Sequence, residues 1–345
     1  TQSMTFNFRK FSKLFFIIIN LVLVIFFLTS GAIPYVSTPK WWMGFLGLAF
    51  PYLLIVVFIF SIFWLITKPK YSLISLLAIL ICWKQVGVLF RINNTEFNYI
   101  KNDSSIRVMT WNVKVFSGIE KGAKAPAEAK KEIISFIKAV DPDILCLQEF
   151  SQYDSTIYEN NHIKRIIDAG YPYYLFSEDY KKQSVNYRSG VVIFSKTPLI
   201  NQTKISFHLN PESIVFADVV RNTDTFRIFT THLQSFKFNK NDYRNIEEIK
   251  DRGEIEEDGS ISLLSKMKKA FELRGAQAQQ IRSLLDSCRY PEMICGDFND
   301  VPNGYTYWHI RGDRQDAFME KGKGIGRTFI SLAPTLRIDY ILCNN

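Results

Sequence analysis

The sequence predicts an α/β protein, with a layered domain of buried sheets preceded by about three transmembrane helices. Residues 105–345 alternate helical stripes with fully apolar runs of strand length, which is typical of sheets covered on both faces. Residues 1–104 are instead mostly apolar and contain only two acidic residues. This difference in composition predicts a transmembrane region at 1–95, a linker at 96–104 and a second domain at 105–345.

Three apolar segments are the candidate membrane helices, at about 14–33, 41–67 and 71–90. The first has 20 residues, and a helix of that length spans about 30 Å, enough for the hydrocarbon layer. A signal peptide is the alternative for it, but two further apolar segments favour an anchor. Lys84 and Gln85 interrupt the third segment. It is either a spanning helix with Lys84 reaching an interface, or an interfacial or buried helix.

The basic residues near these segments predict their orientation. Placing the N-terminus in the cytoplasm puts five of them inside, namely Arg9, Lys10, Lys13, Lys68 and Lys70. Three crossings then predict an integral protein of a bacterial inner membrane with residues 105–345 on the periplasmic side. If the third segment does not cross, the domain is cytoplasmic.

The net charge of +9 belongs mainly to the membrane region. Residues 1–104 carry nine Lys or Arg against two acids, so residues 105–345 carry a net charge of only +2. This argues against the strongly basic surface of a nucleic-acid binder. The five cysteines permit a disulfide but do not demand one.

The second domain begins with a strand at 105–113. A helical stripe of apolar residues follows at 127–140, and "DPD" stops it because Pro142 disfavours a helical residue before it. The run "ILCLQE" at 144–149 reads as a buried strand whose polar residues come only at its end. The chain therefore starts as strand, helix, strand.

The remaining elements continue this alternation. They are helices near 156–169 and 263–287, and strands near 172–176, 190–195, 214–220, 226–232, 294–297 and 337–343. The charged segment 237–262 is poor in apolar residues and is predicted to be a mobile loop. The chain has no Walker loop and no dinucleotide-binding glycine signature.

Polar side chains stand at the ends of four strands and inside a fifth. They are Asn112, Glu149, His232, the pair Asp297 and Asn299, and Asp339. Strand-end Asn and Asp commonly form turns or caps. Glu149 is harder to explain in that way, since burying an unpaired acid is costly. In "GDFND", the alternation of a strand places Asp297 and Asn299 on one side and Phe298 in the core.

The runs "TWNV", "DPDILCLQE", "THL", "GDFND" and "RIDYIL", in this order, resemble the endonuclease/exonuclease/phosphatase superfamily. The resemblance covers residues 105–345 and leaves the membrane region outside it. It implies a two-sheet, four-layer α/β sandwich of the deoxyribonuclease I type. It also implies hydrolysis of phosphate esters with Mg²⁺ or Mn²⁺ as cofactor.

The resemblance further implies roles for individual residues. Glu149 would be the main metal ligand, with Asn112 beside it. Asp297 would orient or deprotonate the attacking water. His232 would stabilise charge on the phosphate, and Asn299 would hold a phosphate oxygen. Mg²⁺ prefers oxygen ligands and keeps several waters, so one or two carboxylates suffice, and no Cys/His cluster with zinc spacing competes.

The resemblance gives weaker support for the roles of several other residues. Asp339 would brace a catalytic histidine. Arg188 is a candidate contact to the substrate phosphate, with a solvated arginine as the alternative, and Thr328 is a candidate substrate contact where relatives often place a pocket residue. Arg274 and Gln277 share one helix face and are weaker candidates for the site, with an interpretation as surface residues as the alternative. The histidine that Asp339 would brace normally follows "RIDYIL" in a Ser-Asp-His motif. The sequence stops at Asn345, so we expect it to continue and to add the domain's last strand. The alternative is a protein that lacks this histidine.

Three functional hypotheses remain. The first is a membrane-anchored phosphoesterase acting on lipid head groups or another phosphoester near the bilayer, where a tether raises the effective concentration. The second is a Mg²⁺-dependent nuclease of the same fold, which the near-neutral domain disfavours. The third is a non-catalytic binding or scaffold protein. The partners predicted are the lipid bilayer and a phosphoester, while protein partners stay unknown.

Overall fold

The computed structural model describes residues 8–93, 100–101, 105–117, 126–154, 160–208, 210–221, 224–252, 257–329 and 335–344. The predicted linker at 96–104 lies almost entirely outside them. The described helices are α1 Phe8–Gly31, α2 Trp41–Thr67, α3 Pro69–Ile81, α4 Trp83–Gly87, α5 Pro126–Val140, α6 His162–Asp168, α7 Lys240–Arg252, α8 Glu257–Asp286, α9 Tyr305–Arg311 and α10 Ala317–Lys321.

The described strands fall into two large sheets and one short pair. They are β1 Arg91–Ile92, β2 Val108–Asn112, β3 Ile144–Tyr153, β4 Tyr173–Phe176, β5 Tyr180–Lys182, β6 Tyr187–Ser195, β7 Leu199–Ser206, β8 Ser213–Arg221, β9 Asp224–His232, β10 Glu292–Asp297, β11 Gln315–Asp316, β12 Lys323–Gly324 and β13 Asp339–Cys343. One sheet has the order β2-β3-β6-β4, with β5 also paired to β6, and the other has the order β11-β13-β10-β9-β8-β7.

The two sheets pack face to face, and helices cover both outer faces. Alternate residues of β3 and β6, such as Cys146 and Ile193, meet Ala217 and Cys295 of the second sheet in one buried cluster. The other face of β3 packs on α5 and α6, and the other face of β10 packs on α8 and α9. This arrangement confirms the predicted four-layer α/β sandwich.

The N-terminal helices form a bundle in which α1 and α3 run in the same direction. Near the start of both helices, the Lys13 ammonium lies 5.1 Å from the centre of the Tyr71 ring. Midway, the Ser75 hydroxyl donates to Asn20 Oδ1 over 2.9 Å. At the far end, Gln85 of α4 donates to the Gly31 carbonyl at 2.7 Å. The segment made by α3 and α4 therefore runs the full length of α1.

Two of these helices are long and apolar enough to cross a membrane, over Lys10–Gly31 and Trp41–Thr67. The third segment differs from the single helix predicted at 71–90, because it breaks at Cys82 into α3, with 13 residues, and the short α4. Cys82 has φ −90° and ψ 18°, outside ordinary helix geometry. The break accompanies burial of the Gln85 amide, which would be costly without its bond to Gly31.

The prediction of a mobile loop at 237–262 is wrong for its described residues, because α7 and the start of α8 occupy most of it. Helix α7 begins with a reciprocal cap. The Asn239 N–H donates to Asp242 Oδ2 at 2.6 Å, and the Asp242 N–H donates to Asn239 Oδ1 at 3.0 Å. Lys266 of α8 pairs with Asp242 at 2.7 Å. High charge here marks a solvated helix rather than a loop.

The N-terminal helices pack directly on the sandwich. Asn303 donates from its side-chain amide to the Gln85 carbonyl at 3.0 Å, and Arg337 donates to the Val88 carbonyl at 3.1 Å. Val88 itself lies in the apolar cluster under the second sheet, and Leu48 of α2 packs against the cluster beside β13. The two parts of the chain therefore share buried contacts and are not joined only by a linker.

Candidate active site

The polar strand ends predicted from the sequence meet at one edge of the sandwich. Strands β9, β10 and β13 are neighbours, and their register places Asp297 beside both His232 and Asp339. From the other sheet, Asn112 at the end of β2 reaches across. Its side-chain amide donates to Asp297 Oδ2 at 3.0 Å and to Glu149 Oε1 at 3.1 Å. The amide of Asn112 therefore bridges two carboxylates that belong to different sheets.

Glu149 reaches this position because β3 is irregular. The pairing of β3 with β6 shifts register between Leu147 and Phe150, and Glu149 has a φ of +48°. A bulge of this kind re-aims one side chain out of the strand's alternation. Glu149 side-chain exposure is 37%, so the carboxylate is accessible to solvent instead of being packed in the core.

The "GDFND" turn places the other polar groups. Gly296 has a φ of +144°, and a side chain there would collide with the Thr231 carbonyl of the adjacent strand. Asn299 donates from its backbone N–H to Asp297 Oδ1 at 2.8 Å and from its side chain to the Leu233 carbonyl at 2.8 Å. Phe298 is fully buried, as the alternation predicts.

His232 stands across from both carboxylates at more than hydrogen-bonding distance. Its Nε2 is 3.9 Å from Glu149 Oε1 and 3.8 Å from Asp297 Oδ2. The side chain is 18% exposed, so the ring is partly accessible to solvent. The imidazole can donate to or accept from a small group placed between it and the two acids.

The site holds an excess of negative charge, carried by three carboxyl groups. Burial raises the pKa of Asp297 to about 6, and the Glu149 carboxylate adds to the increase. Burial raises the pKa of Asp339 to about 8, and the next contribution is repulsion from Asp297. Asp339 Oδ1 is buried and accepts no hydrogen bond from the described residues. A cation would relieve all three carboxylates.

These residues fit a divalent ion with a preference for oxygen. No group of three His, Cys, Asp or Glu side chains within the described ranges forms a closed ligand set. Mg²⁺ does not need one, because it retains several waters and is commonly held by one or two carboxylates. Glu149 provides such a carboxylate beside Asp297. The side-chain oxygen of Asn112 instead accepts from the Lys114 N–H at 3.0 Å, and the amide nitrogen of Asn112 faces the two acids.

Arg274 and Gln277 of α8 are not surface residues, in contrast to the sequence interpretation. Their exposures are 1% and 3%. Arg274 donates to the Asn299 carbonyl, and the Gln277 side chain accepts from the Gln234 N–H at 3.0 Å. Burial lowers the pKa of Arg274, and attraction to Asp300 and Asp297 opposes this. The sequence carries no sign of this burial, because Arg and Gln on a helix that carries both polar and apolar residues are usually exposed to solvent.

The two predicted substrate contacts are placed differently. Arg188 ion-pairs with Glu178 and Asp154 and has no described contact with the carboxylate cluster. The Thr328 hydroxyl accepts from the backbone N–H groups of Ile338 and Asp339 at 3.0 and 3.2 Å. Thr328 therefore fixes the start of β13 beside the site, whereas Arg188 stabilises the β5–β6 region.

A buried histidine, His162, lies behind the β3 bulge and makes the stability of the folded protein decrease at acidic pH. His162 Nδ1 is 2.6 Å from the Ser151 carbonyl and therefore carries the proton as donor, and the ring packs on Phe116. Burial lowers the pKa of His162 to about 4, from 6.5. The unfolded chain takes up a proton below about pH 6.5, so stability present above that pH is lost as pH falls towards 4.

We therefore expect replacement of His162 by Gln to flatten the acid side of the stability profile. The neutral form of His162 is worth about 3 kcal/mol over this pH range, at about 1.4 kcal/mol per pKa unit. The measurement is the free energy of unfolding by urea at pH 7.5, 6 and 5. The wild type should lose more stability than His162→Gln between pH 7.5 and 5. Equal losses of unfolding free energy in the two proteins would show that His162 does not cause the decrease in stability at acidic pH.

The chain belongs to the Endonuclease/Exonuclease/phosphatase family, whose model matches residues 109–345. Members of this family are hydrolases acting on phosphodiester bonds and generally use divalent metal ions. Residues 12–89 match a second family, described as a domain of unknown function (DUF8431). No curated protein sequence matches the chain.

Several solved structures are similar to this chain. The human Nocturnin catalytic domain with bound sulfate is 19% identical, with a TM-score of 0.46, over 69% of this chain and 82% of that one. Truncated TDP2 of Caenorhabditis elegans is 16% identical, with a TM-score of 0.45, over 69% and 83%. Sphingomyelinase C of Streptomyces griseocarneus is 16% identical, with a TM-score of 0.42, over 70% and 84%. Likenesses at this level do not bear on substrate.

Proposed function

We propose that the protein is a membrane-anchored phosphoesterase that depends on a divalent metal ion, Mg²⁺ or Mn²⁺. The observation that carries this proposal is the bridge from Asn112 to Glu149 and Asp297, with His232 opposite. Acidic groups from two sheets would repel one another without a cation. A scaffold protein would have no need to keep such a costly arrangement at an open edge.

The residues divide the work of hydrolysis among them. Glu149 would hold the ion, which when bound neutralises charge on the phosphoryl oxygens. Asp297, with its raised pKa, accepts the proton of the attacking water near neutral pH. His232 faces the space opposite both acids and donates to the phosphate as negative charge develops. Asn299 holds a phosphate oxygen beside it.

Asp339 contributes through its unpaired oxygen. Oδ1 is buried without a described donor, while the backbone N–H of Asp339 is held by Thr328. An acceptor held in this way would receive a hydrogen bond from the N–H of the histidine in the Ser-Asp-His motif that the family resemblance implies. That bond would orient the imidazole for catalysis. Thr328 would act through Asp339, and we assign no substrate contact to Arg188, which Glu178 and Asp154 already engage.

The bundle geometry supports a domain on the side of the membrane opposite the N-terminus. Helices α1 and α3 run in the same direction, and the sandwich packs at the end of α1 that carries Gly31. With Lys10 and Lys13 on the cytoplasmic side, this end faces the periplasm or exterior. The substrate would then be a phosphoester at that surface, with lipid head groups as our first candidate.

The test compares substrates and metals with the full-length protein. We expect Mg²⁺ or Mn²⁺ to support hydrolysis of bis-p-nitrophenyl phosphate, and EDTA to abolish it. Phosphatidylglycerol vesicles and single-stranded DNA separate a lipid phosphoesterase from a nuclease. Release of phosphorylated head groups supports the proposal, and DNA cleavage alone would replace it with a nuclease. No hydrolysis with any metal would favour a scaffold.

Arg274 supplies a more specific prediction as a positioning residue. Its positive charge lowers the pKa of Asp297 against the effect of burial. Arg274→Met should therefore shift the acid limb of the kcat/KM profile to higher pH. It should also lower kcat by about 10–100-fold, the usual effect of losing a group that orients the site. Arg274→Lys should restore the pH profile. A pH profile unchanged in Arg274→Met would assign the residue to folding alone.

A further inference from the structure

An apolar groove opens where the membrane helices meet α8, outside the candidate active site. It has a volume of about 610 Å³. Helices α1 and α2 line it with aromatic residues, and α8 lines the other wall: Phe26, Trp41, Trp42, Phe45, Leu264 and Lys268. A cavity of this size accommodates much of a drug-sized or lipid-tail ligand.

The groove lies at the end of the bundle that faces the sandwich. Trp41 and Trp42 start α2, close in sequence to the end of α1 at Gly31. Tryptophan at the end of a membrane helix is typical of the bilayer interface. On α8, Ile261 and Leu264 are 60% and 54% exposed. A soluble surface rarely presents such residues beside an open apolar groove, whereas acyl chains would cover them.

The charge at the groove points to an anion. Lys268 Nζ lies 5.2 Å from the centre of the Trp41 ring. No carboxylate within the described residues pairs with Lys268, whereas Lys266, two residues earlier, is bound by Asp242. A cation at the rim of an apolar groove complements a molecule with an apolar tail and an anionic head.

We propose that this groove binds an anionic phospholipid, with an acyl chain against Phe45 and Leu264 and the phosphate near Lys268. The proposal rests on the membrane placement given under the proposed function. The site is connected to the catalytic region through α8. The Phe45 and Phe271 rings are 5.1 Å apart, and Phe271 packs at 4.8 Å on the guanidinium of Arg274. A bound lipid therefore lies one packing layer from the arginine that supports Asn299.

The experiment measures lipid retention by the full-length protein. The protein is purified in mild detergent with EDTA, mixed with equal amounts of phosphatidylglycerol and phosphatidylcholine, and examined by native mass spectrometry. Wild type should retain phosphatidylglycerol in preference. Lys268→Gln should reduce this preference about fivefold, corresponding to about 1 kcal/mol for one lysine near an anionic head group. The matched control is Lys269→Gln, an equal charge change beside the groove but outside it.

A second variant tests the apolar part. Leu264→Trp should fill the groove and lower retention of both lipids, and because Leu264 is largely exposed the fold should tolerate it. Thermal unfolding checks this. Equal effects of the Lys268 and Lys269 variants would reduce the site to bulk charge and overturn the proposal. If native mass spectra show the wild type as a dimer, a monomeric Leu264→Trp that retains lipid would assign the groove to a second copy of the chain and overturn the proposal.

The readout separates this proposal from the phosphoesterase proposal. Lipid retention is measured without metal, and hydrolysis of bis-p-nitrophenyl phosphate is measured without lipid. Lipid retention without hydrolysis would support the lipid-binding groove and contradict the phosphoesterase proposal. Hydrolysis without lipid retention would support the phosphoesterase proposal and contradict the lipid-binding groove.

Discussion

Replacing Glu149 with Gln is expected to lower kcat/KM for a phosphodiester by about 10³-fold or more. The amide keeps the size and the hydrogen bond from Asn112, but it removes the charge that a divalent ion requires. Metal-assisted charge stabilisation is worth several kcal/mol in the transition state, which corresponds to about this loss. The measurement is hydrolysis of bis-p-nitrophenyl phosphate by the full-length protein with saturating Mg²⁺.

The matched control for this prediction is Glu272→Gln. Glu272 is an exposed residue of α8, and its replacement makes the same change of charge away from the site. We expect wild-type kinetics from it. Activity in Glu149→Gln within a few-fold of the wild type would mean that another group holds the ion.

The second large effect is expected where α2 packs on the sandwich. A side chain at Gly44 would collide with the Phe271 ring, and a Cβ at Gly47 would lie 3.0 Å from the Asn303 carbonyl and from Gly304 Cα. The double variant Gly44→Leu/Gly47→Leu should lose about 1–3 kcal/mol of stability per site through overpacking. It should also lower activity, because Asn303 and Gly304 follow the "GDFND" turn. Thermal unfolding and hydrolysis measure the two effects.

Gly87→Leu is the control, since nothing lies within 4 Å of a Cβ at Gly87. It should unfold like the wild type and keep its activity. If the double variant behaves like this control, the packing of the anchor on the domain does not matter for the fold. The membrane region would then act as a tether alone.

Much of the site was readable from the sequence because it lies at strand ends. A polar residue that closes a buried strand must face an edge, and neighbouring strands place such residues together. Asn112, His232 and Asp297 follow this rule. Glu149 does not, because β3 continues to Tyr153 and does not end at 149 as predicted; Glu149 reaches the site through the β3 bulge, which has no signal in "ILCLQEF" beyond the polar pair itself. The sequence predicts its importance but not its geometry.

Other features were beyond local reasoning because distant contacts decide them. Arg274 and Gln277 become buried because α8 packs under two loops, which the pattern of α8 does not reveal. The break at Cys82 depends on the partner that Gln85 finds on Gly31. The cap of α7 was readable, since Asn239 and Asp242 have the spacing of a capping pair. The prediction of a loop at 237–262 instead followed the high charge and low apolar content of this segment.

The packing of α2 on the sandwich had no signal in the sequence at all. Glycines in α2 are common in membrane helices, where they favour contacts between helices. In this protein Gly44 and Gly47 face Phe271 and Asn303 of the sandwich instead. Only the three-dimensional arrangement distinguishes these uses.

Binding of Mn²⁺, followed by electron paramagnetic resonance, tests the central claim most directly. Mn²⁺ replaces Mg²⁺ at oxygen sites, and its free-ion signal disappears on binding, so the readout is independent of turnover. We predict one ion per chain for the full-length wild type, and an affinity at least about tenfold weaker in Glu149→Gln, because the ligand set loses its most accessible carboxylate. Equal binding by both proteins, or no binding by the wild type, would contradict a metal site in which Glu149 holds the ion beside Asn112 and Asp297.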